Sequence, residues 1–345
     1  SMLVSAIIIV AYTTMGGFLA ASTTDFVQSI IMTAALIFVL IFGTVKAGGA
    51  SAVIENAQNL KGYFSLTSFV SDGSVQSYGT FTIASTLAWG LGYFGMPHIL
   101  LRFMAIEDKD KIKLSRRVAS IWVVIAMFIA ITIGIIGYSL VNANIVDVGG
   151  DAETIIVRLA HLISTHGFGY AIIAGLILAG ILASTMSTAD SQLLAAASSI
   201  SEDIAKGVFK INISEKKTIS VARFTVIGIA VIAAFMARQS NSVFRIVSFA
   251  WAGFGASFGP VVLFALFWKR TNKQGAVAGM LAGGIMVFVW KYIIAAKLGG
   301  IFAIYELLPA FIFACIAIVV VSLLTKAPEQ EITDEFEEVC RICKN

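Results

Sequence analysis

Along this chain, apolar residues run for about 20 positions at a time, and polar residues collect between the runs instead of alternating with them. A helix of that length spans the hydrocarbon core of a bilayer, so each run is read as a membrane crossing. Nine runs are recognised, at 2–21, 25–46, 81–101, 118–140, 169–200, 219–237, 243–268, 274–297 and 302–325. A transmembrane barrel would need alternating units of about 10 residues, and these runs are continuous. The pattern predicts an all-α integral membrane protein.

Composition agrees. Of 345 residues, 58% are hydrophobic and 13% charged, against about 25% charged in soluble domains, and mean hydropathy is +0.92. The charges are unevenly placed. Arg102, Lys109, Lys111, Lys113, Arg116 and Arg117 crowd one connection; Lys206, Lys210, Lys216 and Lys217 another; and Lys269, Arg270 and Lys273 a third. The connections 47–80 and 141–168 hold only Lys61 and Arg158. Basic loops stay on the cytoplasmic side, so nine crossings place the N-terminus outside and the C-terminus inside. Residues 1–326 form the membrane domain. The acidic stretch 327–345 is expected to be a solvated or disordered cytoplasmic tail. Segment 152–165 is expected to be a short amphipathic helix lying on the membrane surface.

Three cysteines are too few for a disulfide framework. Cys315 is read as packing, and the lone C-x-x-C of Cys340 and Cys343 as a weak metal motif. The chain enters its first apolar run with no basic n-region and reads as starting inside a longer set of helices. No nucleophile elbow, zinc-protease or nucleotide-binding signature appears, which argues against an enzyme or an ATP-driven pump.

Four polar islands interrupt the runs. Ser184, Ser187, Thr188 and Ser191 stand at i, i+3, i+4 and i+7, so four oxygens share one helical face, with Asp190 beside them. Oxygen-only ligands suit a hard cation such as sodium; helix–helix hydrogen bonding is the competing use. Asp25, in Thr23-Thr24-Asp25, reads either as an N-cap of the second run or as a carboxylate facing Ser187, Asp190 and Ser191. In Ala88-Trp89-Gly90-Leu91-Gly92-Tyr93-Phe94-Gly95-Met96-Pro97-His98, three glycines and a proline should break the helix in mid-membrane. Trp89 and Tyr93 share a face there, as in the discontinuous helices at transporter substrate sites. Segment 249–260 repeats the small-plus-aromatic pattern, with Trp251, a Gly255-to-Gly259 contact motif and a helix-bending Pro260. Trp290 and Lys291 read as interface anchors.

These segments, with Leu182 to Leu194, Ser201-Glu202-Asp203, Ser248 to Phe264 and Tyr305-Glu306-Leu307-Leu308-Pro309, resemble the sodium:solute symporter family, and within it the sodium/proline branch. The likeness covers all but the acidic tail. It implies a partial inverted-repeat bundle of the LeuT type, holding core helices four to ten and two C-terminal helices. The leading helix and the first three core helices, which supply half of each site, fall outside this chain. It further implies sodium as coupling ion. Ser187 and Thr188 are then side-chain ligands, Ser184 a carbonyl donor, and Asp25, Asp190 and Ser191 members of an additional sodium position. Trp89, Gly90, Tyr93, Met96 and Trp251 become the solute-binding residues. The expected activity is symport of a small solute, L-proline first, with pantothenate, a sugar, sialic acid or a membrane sensor role as alternatives. The expected partners are the solute and the lipid bilayer, with no nucleic acid and no obligatory protein.

Overall fold

The computed structural model describes residues 2–71, 74–210, 214–237 and 242–344, side chains excepted at 2–6, 12, 14–18, 20, 71, 215, 216 and 344. Lys216 of the second basic loop therefore lies outside the described side chains. In chain order the elements are α1 (Met2–Lys46), α2 (Ala50–Gln58), the hairpin β1 (Ser68–Ser71) and β2 (Ser74–Ser77), α3 (Thr80–Leu87), α4 (Pro97–Met104), α5 (Ile112–Asn142), α6 (Ile155–Ser164) and α7 (Phe168–Ser198). They continue with α8 (Glu215–Ala237), α9 (Val243–Phe267), α10 (Lys273–Val289), α11 (Ala295–Leu298), α12 (Leu307–Leu324) and α13 (Gln330–Lys344). Among the described residues, seven helices are long and apolar enough to cross a membrane.

The difference from nine has two causes. Runs 2–21 and 25–46 join in one helix, α1. Thr23 and Thr24 donate their hydroxyls to the carbonyls of Leu19 and Ala21, 2.9 Å away in both cases. A cap would accept from amides instead, so these bonds continue the helix, and Asp25 lies in its interior and not at an N-cap. The run 81–101 breaks as its glycines and proline require: α3, a 3₁₀ segment Ala88–Gly95, then α4 begun by Pro97. Each piece is too short to span alone.

The chain divides into two compact units, residues 1–76 with 106–238, and residues 77–105 with 239–345. In the first, α1 packs along α7 and against α5 and α8, and α6 packs on α7. Its core joins Val39 of α1, Ile133, Ile136 and Leu140 of α5, Leu159 and Ile163 of α6, and Ile177 of α7, each nearly or fully buried. Segment 152–165 does form an amphipathic helix, α6, but its apolar face (Leu159, Ala160, Ile163) is consumed by this core and does not lie on lipid. Asn56 donates to Ser139 Oγ at 2.6 Å and pins α2 to α5.

In the second unit α9, α10 and α12 pack together, and the 3₁₀ segment lies against α9 and α12. Lipid gives no hydrophobic drive between helices, so close approach through small residues must hold them. Gly275 and Gly279 of α10 face Ser322 and Ile318 of α12, and Gly283 meets the backbone of α9 at Ala256 and Ser257. Asn272 caps α10 by accepting from the Gly275 amide at 2.8 Å, while its Nδ2 donates to Thr325 Oγ1 and the Lys326 carbonyl, both at 2.7 Å. Arg270 donates to the Thr325 carbonyl at 2.8 Å. One short turn thus closes the start of α10 and satisfies the end of α12. Pro260 sits inside α9 without ending it.

The tail is helical. Ile332, Phe336, Val339 and Ile342 share one face of α13, and Lys269 holds the helix by an ion pair to Glu337. The hydrogen bond from Lys269, then its charge, keeps the Glu337 carboxyl below its ordinary 4.5, and the same bond lifts Lys269 above its ordinary 10.5. Glu337's contribution is present above pH 4.5 and fades as pH falls through its lowered value. That of Lys269 is present below 10.5 and fades as pH rises through its raised value. A nitroxide on Cys340 should therefore gain mobility when the pH drops beneath the carboxylate range. Glu337→Gln should show the mobile spectrum already at neutral pH. Identical spectra in both proteins at every pH would refute the tether.

Candidate functional site

All six candidate cation residues lie in the first unit, on α1 and α7. In α7, Ser187 Oγ and Thr188 Oγ1 donate to the Ser184 carbonyl at 3.0 and 3.3 Å, and Ser191 Oγ donates to the Ser187 carbonyl at 2.9 Å. A hydroxyl has one proton and two lone pairs. With the proton committed to the helix, the lone pairs remain to face a cation. Three oxygens from Ser184, Ser187 and Thr188 therefore gather on one patch of α7. The Ser184 carbonyl already accepts both hydroxyls, so a cation there must share it with them. Thr188 is exposed within its unit, and Ser184 and Ser187 are half-buried.

Asp190 is fully buried, with Ser191 Oγ 3.3 Å from its Oδ1. The carboxylate thus lies inside the unit, one turn beyond Ser187. Its neighbour helix is α1, which runs antiparallel to α7: Phe42 meets Tyr170, and Met32 and Ala35 meet Gly180. Carrying that register onward brings Asp25 level with Ser187 and Thr188. Asp25 Oδ1 is closed off from solvent, and one turn along α1 the Oε1 of Gln28 is closed off as well, with no hydrogen-bond partner among the described residues. Gln28 was not signalled by the sequence pattern, because a lone amide has no spacing partner. It adds an acceptor oxygen on the α1 side.

The solute-binding candidates lie in the second unit. Trp89 stacks on Trp251 at 5.5 Å between ring centroids and on Phe244 at 5.7 Å, and Tyr93 meets Trp251 edge-on at 4.7 Å. Trp251 Nε1 donates to the Trp89 carbonyl at 3.0 Å. Opening the 3₁₀ turn exposes that carbonyl, and the indole satisfies it. Close packing depends on glycines. Gly92 lies under the Trp251 indole, and Gly95 touches the backbone of Phe254, Gly255 and Gly259. The Gly255-to-Gly259 motif thus receives the 3₁₀ segment. Gly90 faces open space, Tyr93 is half exposed, and Met96 is buried at 5%. Trp89, Tyr93 and Trp251 therefore form one aromatic wall, while Met96, just after the 3₁₀ segment, is buried. Phe244 and Tyr305 join the wall without having been expected there. Lys291, read as an interface anchor, instead pairs with Glu306 at 2.9 Å.

Among the described residues, no three His, Cys, Asp or Glu side chains converge on a metal-sized site.

The sequence profile described as "Sodium:solute symporter family" matches residues 1–283. A sodium/proline symporter of Haemophilus influenzae is 42% identical over 336 residues, covering 95% of this chain and 64% of that protein. The high-affinity proline transporter PutP of Bacillus subtilis is 40% identical over 336 residues, covering 96% and 66%. The chain thus spans just under two thirds of the length of these relatives. A solved structure of a Na+-coupled sialic acid symporter superposes with a TM-score of 0.73 at 18% identity, over 95% of this chain and 67% of that one, and so shares the fold. This multi-pass membrane chain belongs to the sodium:solute symporter family.

Proposed function

We propose that the chain serves a secondary symporter that imports L-proline together with sodium, a transport activity with no chemical step. The observation that carries this reading is the alignment of nearly the whole chain with relatives named as proline transporters. The oxygen patch of Ser184, Ser187 and Thr188 supports the cation half. It offers hard ligands at membrane depth and no soft ones. Asp25, Asp190, Ser191 and Gln28 supply a further group of oxygens on the facing helices. The wall of Trp89, Tyr93 and Trp251, with the open space at Gly90, supports the solute half, since a pyrrolidine ring packs well against aromatic faces.

Coupling follows when ion and solute both favour the same conformation, so that each raises the affinity for the other. The basic connections 102–117, 201–218 and 268–273 lie in the cytoplasm, and with them the C-terminus; the outside N-terminus expected from nine crossings loses its support, because runs 2–21 and 25–46 are one helix. Proteoliposomes containing the complete gene product should accumulate labelled proline when an inward sodium gradient is imposed, and not with potassium in its place. Accumulation of pantothenate, a sugar or sialic acid instead would reassign the solute. Equal uptake without sodium would reject the coupling.

A further inference from the structure

The segment Tyr305-Glu306-Leu307-Leu308-Pro309 runs into the start of α12, outside the helices to which the ion and solute residues belong. Three contacts tie it to the aromatic wall. The Tyr305 ring stacks on Trp89, with centroids 5.7 Å apart and planes 20° from parallel. The Tyr305 hydroxyl donates to the Ser248 carbonyl of α9 at 2.8 Å. Next to it, Glu306 accepts from Lys291 Nζ at 2.9 Å, and that ammonium lies 4.3 Å from the centre of the Phe249 ring. Lys291 reaches this place from the π-helical turn Trp290–Ile294, which widens the end of α10.

The ion pair sits where ions are costly. The Glu306 side chain is 11% exposed and that of Lys291 34%. Losing either partner would leave a charge in apolar surroundings. Hydrophobic residues would pack here as well, so the pair's use lies in fixing geometry. Its effect is to hold the start of α12 against α9 and the end of α10, with Tyr305 pressed flat on Trp89.

We propose that Tyr305 is a positioning residue for the solute pocket, setting the plane of the Trp89 indole, and that the Lys291–Glu306 pair holds Tyr305 in place. This inference rests on the reading that Trp89 and Trp251 face the solute. An aromatic contact of this kind is worth a roughly two- to tenfold change in affinity. The pocket should lose that much when the ring is removed, while the capacity to transport at saturating solute is kept.

The test uses the complete gene product in proteoliposomes, with Tyr305→Leu, Tyr305→Phe, Glu306→Gln and the charge swap Lys291→Glu with Glu306→Lys. Tyr305→Leu should raise the proline concentration for half-maximal uptake by roughly two- to tenfold, with the maximal rate within about twofold of the parent. Tyr305→Phe keeps the stack and should give a smaller rise. Glu306→Gln should raise it too, and the charge swap should bring it back. Unchanged half-saturation in Tyr305→Leu and Glu306→Gln would overturn the inference. If Tyr305→Leu fails to fold, Tyr305→Phe and Glu306→Gln carry the same comparison. A second readout needs no transport: the near-ultraviolet circular dichroism of the Trp89–Trp251–Tyr305 stack should weaken in Glu306→Gln and recover in the swap. Absence of proline uptake by the parent would refute the functional reading, and the dichroism would still decide the positioning claim. An identical spectrum in Glu306→Gln would overturn it.

Discussion

Alanine at Gly95 is expected to destabilise the solubilised protein by about 1–3 kcal/mol, the usual cost of forcing an extra methyl into a closed contact. Alanine at Gly90, five residues away, is expected to leave stability unchanged. A Cβ at Gly95 would lie 2.8 Å from the Gly259 amide nitrogen and 2.9 Å from the Gly255 Cα, and against the Phe254 carbonyl. All of these are backbone atoms of α9, so no side chain can rotate away. The broken segment or α9 must move. At Gly90 nothing lies within 4 Å of the same atom. Thermal unfolding followed by tryptophan fluorescence checks the pair, because Trp89 and Trp251 sit on that contact. Coincident midpoints for Gly95→Ala and the parent would contradict the packing described.

The contrast between these glycines was half legible in the sequence. That the helix breaks near Gly90, Gly92, Gly95 and Pro97 follows from local chemistry, since glycine and proline act on their own backbone. Which glycine is pressed against another helix is a tertiary fact. The unbroken α1 was hidden for a related reason. Thr23, Thr24 and Asp25 have the composition of a cap, but a hydroxyl can donate backward as readily as it accepts, and here both threonines donate backward, to Leu19 and Ala21. The fate of α6 was also out of reach. Its amphipathic pattern fits lipid or a protein core equally well, and only the presence of Val39, Ile136 and Ile177 selects the core. The acidic tail looked too polar to fold, yet its apolar residues fall at helical spacing and α13 forms. Lys291 and Glu306 are 15 residues apart, beyond the reach of any pattern within one helix.

The oxygen face of α7 was the most readable part. Spacing alone predicted that Ser184, Ser187, Thr188 and Ser191 share a side, and the hydrogen bonds among Ser184, Ser187, Thr188 and Ser191 follow that order. The contribution of α1 was less readable. Its antiparallel register brings Asp25 to the level of Ser187, and it adds Gln28, for which the sequence carried no signal.

Replacing Thr188 with alanine removes one oxygen from this patch and should leave the α7 backbone in place, because the helix does not depend on a back-bonded hydroxyl. Interactions between a hydroxyl and a charged group are worth about 1.5–3 kcal/mol, so the affinity for sodium should fall by about tenfold or more. Ser187→Ala should act in the same direction. Thr188→Ser restores an oxygen at the same position and should recover most of the loss. Thr185→Ala provides the control: its hydroxyl donates to the Ile181 carbonyl at 3.1 Å and lies off the Ser184–Ser187–Thr188 patch.

The deciding measurement is the sodium concentration that gives half-maximal proline uptake by proteoliposomes of the complete gene product, compared among the parent, Thr188→Ala, Thr188→Ser and Thr185→Ala. The predicted result is a rise of about tenfold or more in Thr188→Ala alone, with uptake recovered at saturating sodium. The same sodium dependence in Thr188→Ala as in the parent would contradict the assignment of α7 as the sodium-binding wall.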